Sequence, residues 1–192
     1  MDQAKELFNK LVPAQTLSNV VFDWKKLGFA FAVSRVITTQ TVSSLEDRKW
    51  LMETLLILVG FTAYHMLTAR VIDTSAIATG KHKNALDDVL YFGTMLVVAR
   101  VLSGKSLVDE KWQKGCLYML TGFVTFDYVT SYGVDRVTGS SVAKSNANDV
   151  LKFGTMYSVS RYLAGETFDK QWLVESGSFI VGLVLYNTIF LK

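Results

Sequence analysis

Phe92-Gly93-Thr94-Met95-Leu96-Val97-Val98-Ala99-Arg100 is written a second time as Phe153-Gly154-Thr155-Met156-Tyr157-Ser158-Val159-Ser160-Arg161, and this repetition decides the fold. Each copy has an aspartate twelve residues before its arginine, Asp88 and Asp149, and a tryptophan after it, Trp112 and Trp172. A more diverged copy lies upstream in Asp23, Gly28, Ser34-Arg35 and Trp50. Ten residues beyond each tryptophan stands a glycine (Gly60, Gly122, Gly182), and four further on an aromatic (Tyr64, Phe126, Tyr186). The next position is polar every time: His65, Asp127, Asn187. Self-similarity at a fixed period of this length is the mark of a repeat architecture, so the chain is read as three tandem units.

The unit divides into two helices. The first is expected over Asp23 to Ile37, Asp87 to Leu102 and Asn148 to Leu163, with the aspartate near its N-terminus, where it complements the helix dipole. The second is expected to carry uncharged runs of sixteen residues, Thr54 to Ala69 and Ser176 to Leu191, with Gly115 to Val134 as the middle copy. Such runs lie at the lower end of what crosses a bilayer. Trp50, Trp112 and Trp172 suit the boundary between membrane and water. The connections 74–83 and 138–146 are rich in Ser, Thr, Ala and Lys and read as polar loops.

The expected fold is therefore all-α, an integral membrane bundle of about six helices built from three hairpin repeats in one compact domain. Its parts are an amphipathic N-terminal segment over 1–16 that Pro13 ends, then repeats over 17–83, 84–145 and 146–192. Composition agrees, with half of the residues apolar and 19% charged against roughly 25% in soluble globular chains. A formal charge of +3 and the lack of a basic stripe argue against nucleic acid as a partner. One cysteine, Cys116, permits no intrachain disulfide, and two histidines are too few and too scattered for a zinc site. No cleavable leader or myristoylation start opens the chain, so insertion is expected to rely on internal segments. The twenty Lys and Arg divide eleven against nine between the two ends of the bundle, too evenly to set an orientation.

Three sets of residues are candidates for function. Asp23, Arg35, Asp88, Arg100, Asp149 and Arg161 are either structural contacts at helix ends or, gathered on a pseudo-threefold axis, an anion or lipid-phosphate site. Gly28, Gly60, Gly93, Gly122, Gly154 and Gly182 are read as points of close helix packing. His65, Asp127 and Asn187 lie at equivalent depths in the second helix, where polar groups mark either an interhelical bond or an ion path. No catalytic motif, metal site or cofactor fingerprint is present, and Asp87-Asp88 is expected as a helix-start pair of acids, so no enzyme activity is expected.

A three-repeat, six-helix plan is shared with mitochondrial carriers, but their proline-marked motif is missing here, where Pro13 is the one proline. The tandem Phe-Gly-Thr-Met...Arg hairpins, short spans and lack of cysteine pairs and glycosylation sites resemble small multi-span proteins in the internal membranes of large icosahedral DNA viruses such as chloroviruses. That resemblance implies a structural minor capsid protein in the virion, anchoring the capsid shell to the lipid membrane beneath it, with the bilayer and capsid proteins as partners, alone or as a homo- or hetero-oligomer. The alternatives are a small three-repeat transporter or channel and, behind it, a soluble all-α interaction protein.

Overall fold

The computed structural model describes residues 13–191, and among them there are helices and no strands. Six long helices carry the architecture: α1 (Ala14–Thr39), α2 (Arg48–Val71), α3 (Gly80–Leu102), α4 (Glu110–Thr125), α5 (Ser141–Leu163) and α6 (Lys170–Phe190). Odd helices are the first of each repeat and even helices the second. A π-helical turn interrupts α2 at Tyr64–Thr68, and another, Phe126–Thr130, follows α4; they contain His65 and Asp127 respectively. Short helices, Thr74–Ile77 and Tyr132–Asp135, lead into the next repeat.

The first helices begin earlier than the repeat pattern implies. Asp73 accepts from the Ser75 N–H and Ser140 from the Ala143 N–H, so helical structure runs through much of the stretches read as polar loops; their Ala and Lys residues are good helix formers. Pro13 opens α1 where it was expected to end a helix, since its fixed φ suits a helix start. The remainder of the proposed amphipathic foot, 1–12, lies outside the described residues. Consequently Asp23, Asp88 and Asp149 sit inside their helices and cap nothing. The 23 residues of α3 or α5 rise about 34 Å, longer than the span from aspartate to arginine.

The helices close into a ring, and glycine makes the closure. Each second helix lies against the first helix of the following repeat at a point where the two backbones nearly touch. A Cβ at Gly60 would stand 2.6 Å from the Met95 carbonyl oxygen, one at Gly122 2.6 Å from the Met156 Cα, and one at Gly182 2.7 Å from the Ala30 Cα. Met95, Met156 and Ala30 are the same repeat position, two residues beyond Gly93, Gly154 and Gly28. The last helix thus packs on the first as its counterparts pack on theirs.

Further equivalent pairs follow the same three seams. Thr68 bonds Thr94 at 3.0 Å and Thr130 bonds Thr155 at 2.9 Å, while at the third seam Phe29 and Phe190 meet edge to face at 5.8 Å. Close packing belongs to the second helices alone. Gly93 and Gly154 have no neighbouring atom within 4 Å of a would-be Cβ, and Gly28 meets only the Leu58 side chain at 3.8 Å, so these three were misread as contact points.

The core lies on the pseudo-threefold axis. Phe92 and Phe123 stack at 3.7 Å between centroids, and Phe153 meets both rings edge on. Leu27 and Leu183 fill the corresponding places from the remaining repeats, with Phe61 beside them. Among the described residues, α2 and α6 alone are long and apolar enough by composition to cross a membrane, with 17% and 39% of their most apolar windows buried. The expectation of six spans is therefore reduced to two such helices within a six-helix ring.

Backbone contact makes the glycines unequal. Gly60→Ala, Gly122→Ala and Gly182→Ala should each cost about 1–3 kcal/mol, because a methyl group must push a neighbouring helix away. Gly93→Ala and Gly154→Ala should gain up to about 1 kcal/mol from helix propensity. Thermal unfolding of the five variants checks this; equal effects at the two kinds of glycine would refute the assigned seams.

Candidate functional site

Three acids, Asp149 and Asp88 buried and Asp23 half-buried, form a ring at the end of the bundle where the second helices finish. Asp149 of α5 accepts from Asn187 of α6 at 2.7 Å and pairs with Lys26 of α1 at 2.7 Å. Asp88 of α3 pairs with Lys152 of α5 at 2.7 Å and faces Asp127, which follows α4. Asp23 of α1 contacts His65 of α2 at 2.7 Å and accepts from the Tyr91 hydroxyl of α3. Every acid therefore joins three helices: its own, the second helix of its repeat and the first helix of the next. His65, Asp127 and Asn187 thus point at the aspartates of their own repeats.

Lys26, Tyr91 and Lys152 escaped the sequence reading. The signal was present, since each lies three residues after its repeat's aspartate, one helical turn on. What hid it is that each serves the preceding repeat's acid, an assignment that exists only once the ring closes. Asp87 belongs to a different contact, taking Lys83 at 2.5 Å and the Thr74 hydroxyl at 2.6 Å, so Asp87 and Asp88 do not act as a pair.

The second triad is electrostatically unlike the others. Where Asn187 donates to Asp149, Asp127 offers Asp88 another acceptor. The Oδ2 atoms of both Asp88 and Asp127 are buried with no hydrogen-bond partner among the described residues. They border a polar cavity of about 550 Å³ that also touches Lys81, Asn84, Asn148 and Lys152. Among the described residues no group of three or more His, Cys, Asp or Glu is placed to hold a metal ion.

The arginines lie at the opposite end and do not converge. Arg35 pairs with Asp47 at 2.8 Å, Arg100 with Asp109 at 2.9 Å and Arg161 with Asp169 at 3.3 Å and with Glu166. Those three aspartates are the N-caps of α2, α4 and α6, each accepting from the N–H of the tryptophan three residues on. Arg100 and Arg161 also donate to the carbonyls of Ser106 and Thr167 in their connections. The arginine thus ties each hairpin shut, and the anion-site reading is replaced by a structural one: the charge is already answered within its own repeat. Arg35 and Arg100 lie over Trp50 and Trp112 at 6.0 and 5.2 Å, while Trp172 meets Phe168 at 4.9 Å. The Asp-x-x-Trp spacing at 47–50, 109–112 and 169–172 carried this signal in the sequence.

Between the polar ends, on the arginine side of the phenylalanine stack, residues of all six helices line a partly open chamber of about 420 Å³. Its walls are Leu, Ile, Met, Phe and Tyr side chains, with Glu53, Arg100, Ser103, Lys105 and Trp112 at its polar edge. The arrangement offers a closed polar ring, an apolar chamber and three tied hairpins. With this geometry in hand, comparison with known proteins adds nothing: no protein-family model, curated protein or solved structure matches the chain.

The repeat equivalence makes the second triad testable. Asp127→Asn recreates the Asn187 arrangement, giving Asp88 a donor and removing a like charge, and should stabilise by about 1–3 kcal/mol. Asn187→Asp should destabilise by a similar amount. Opposite signs in thermal unfolding are the expected result.

At the other end, the Trp112 N–H and the Arg100 guanidinium hold the Asp109 carboxyl below its usual range, as the Trp50 and Lys49 N–H groups and Arg35 do for Asp47. A carboxyl depressed in the fold stabilises above its unfolded value near 3.8 and loses that contribution as pH falls through the folded value. Asp109→Asn retains a capping side chain but not the charge. It should therefore be less stable than the native chain at neutral pH, with the difference vanishing on acidification.

Proposed function

We propose that the protein is a non-catalytic structural component of a membrane, a rigid ring whose hairpin connections hold a protein layer against the bilayer. The observation that carries this reading is the direction of its apolar surface. Leu67, Leu117, Val129 and Leu173 are each more than 60% exposed, on three different helices and their extensions. With Leu55, Val97, Val181 and Leu185 they give the outside of the ring an apolar character that water does not favour. The uncharged run 54–69 of α2 rises about 24 Å, short of the roughly 30 Å hydrocarbon core, so the flanking polar residues and tryptophans would anchor a thinned bilayer.

The interior supports anchoring over transport. The Phe92, Phe123 and Phe153 rings stand across the axis, and the charges on either side of them are largely taken up by one another. A conducting path would need polar side chains along the axis instead. The α3–α4 connection and the first turns of α4, by contrast, expose Lys105, Glu110, Lys111 and Lys114, a mixed-charge surface for a partner. The viral setting, an internal virion membrane beneath a capsid shell, is the specific form of this proposal and rests on the resemblance of the repeats.

The test is fractionation of the expressed protein with membranes, followed by a carbonate wash and gentle detergent extraction together with its native neighbours. Retention through carbonate and co-extraction with a large protein assembly is the expected outcome. Release by carbonate would refute membrane integration, and a lone small particle in detergent would favour the transporter.

A further inference from the structure

We infer that the central chamber is a binding site for one long hydrocarbon chain bearing a polar head, the chemistry shared by free fatty acids and by lipid acyl tails. The first argument is physical. An apolar chamber of about 420 Å³ falls within the size range of ligand pockets, and left empty it keeps an apolar wall facing water in place of a packing partner. Water cannot fill it well, because a buried water needs two to four polar partners and the inner walls are Leu27, Phe31, Ile57, Met95, Met119 and Phe179. A flexible chain against aromatic and methionine surfaces suits an irregular volume of this kind.

The second argument is where the chamber reaches its polar edge. At the seam between α6 and α1 the hydroxyls of Ser34 and Ser178 bond at 2.8 Å. The equivalent positions between α2 and α3 are Ala99 and Leu56, which make no such bond and border the chamber. Beyond them stand Glu53, Arg100, Ser103 and Lys105, of which Ser103 and Lys105 are exposed in the α3–α4 connection. Neither Glu53 nor Lys105 makes an ion pair among the described residues, so a polar head would find groups of either sign at that edge while its tail entered past Ala99. The α4–α5 seam, with Tyr118 and Ser160 at the equivalent positions, shows no such bond either, but neither residue borders the chamber, so the opening lies at the α2–α3 seam and the site is single.

This inference does not depend on the anchoring role; it needs only access to amphiphiles. The experiment begins with solvent extraction and mass spectrometry of the purified full chain, and continues with titration of delipidated protein by palmitate and, separately, by lysophosphatidylcholine in mild detergent. About one equivalent of a long-chain amphiphile, recovered from the purified protein or bound on titration, is expected. Binding of palmitate alone identifies a fatty-acid site, and binding of the lysolipid identifies a membrane-lipid site. Ala99→Trp, which blocks the entrance, should weaken binding about tenfold or more, a loss of about 1.4 kcal/mol. Met119→Trp, which fills the chamber from another helix, should do the same and remove the ligand-induced rise in thermal midpoint, so a folding defect in one variant leaves the other to decide. No recovered amphiphile together with no binding of either probe, or unchanged affinity in both variants, would overturn it.

Discussion

At Gly60, Gly122 and Gly182 the second helix of one repeat lies backbone to backbone on the first helix of the next, and the rest of the molecule depends on that approach. A side chain there would hold the helix axes apart by roughly its own thickness. The opposed hydroxyls of Thr68 and Thr94, and of Thr130 and Thr155, bond only because the seams are this narrow. The third glycine meets Ala30 of α1, and the seam centred on that approach converts a row of hairpins into a ring. A row would leave α1 and α6 with uncovered inner faces; the ring buries Leu27 and Leu183 with the phenylalanines on the axis.

The acid ring follows from closure and makes the cyclic order specific. Asp88 and Asp149 are buried carboxylates, and a buried charge is tolerated only where a counter-charge or donors reach it. Lys152 and Lys26 reach them from the first helix of the next repeat, so an open array would leave Asp149 without its lysine. A buried ion pair is weak evidence for net stability, but a misplaced one is heavily penalised. The ring therefore selects among ways of packing six similar helices. In the first repeat, Tyr91 and His65 take over from the lysine and the amide, both turned towards Asp23. The π turn holding His65, and its counterpart holding Asp127, shift the polar residue relative to a regular helix.

Much of this was legible in the sequence because repetition is legible. The phase of Phe92-Gly93 and Phe153-Gly154 marked the units, and the regular distance from tryptophan to glycine marked the seams. What no spacing contained was which repeat a side chain would serve. Asp23 and Tyr91 are far apart along the chain, and their contact is set by the order of helices around the axis. The glycines of the first helices illustrate the same gap. Gly93 has the spacing of a packing residue, yet its face is open because the neighbouring helix settles on Met95, about 200° further around the helix. Helix starts were misjudged for a local reason: aspartate is a common cap, and nothing in the sequence distinguishes a capping Asp88 from a buried one.

Departures from the repeat separate architecture from whatever else the chain does. The seam glycines, the hairpin arginines and the capping aspartates before tryptophan are identical in all three units, as positions needed for closure should be. Among the places not treated alike, three concern charge or a cavity. Asp127 stands where its counterparts bring a ring nitrogen or an amide, leaving two carboxylate oxygens unpartnered beside a polar cavity. Ala99 and Leu56 stand where Ser34 and Ser178 bond, leaving the central chamber bordered at one seam. The arginine of the third unit takes Glu166 as well as its capping aspartate. A ring that served closure alone would gain from making these places equivalent, by a donor in place of Asp127 and serines at the first seam. Both changes keep a packing already realised elsewhere in the same molecule, so steric necessity does not explain the difference, and the two cavities lie where the symmetry breaks.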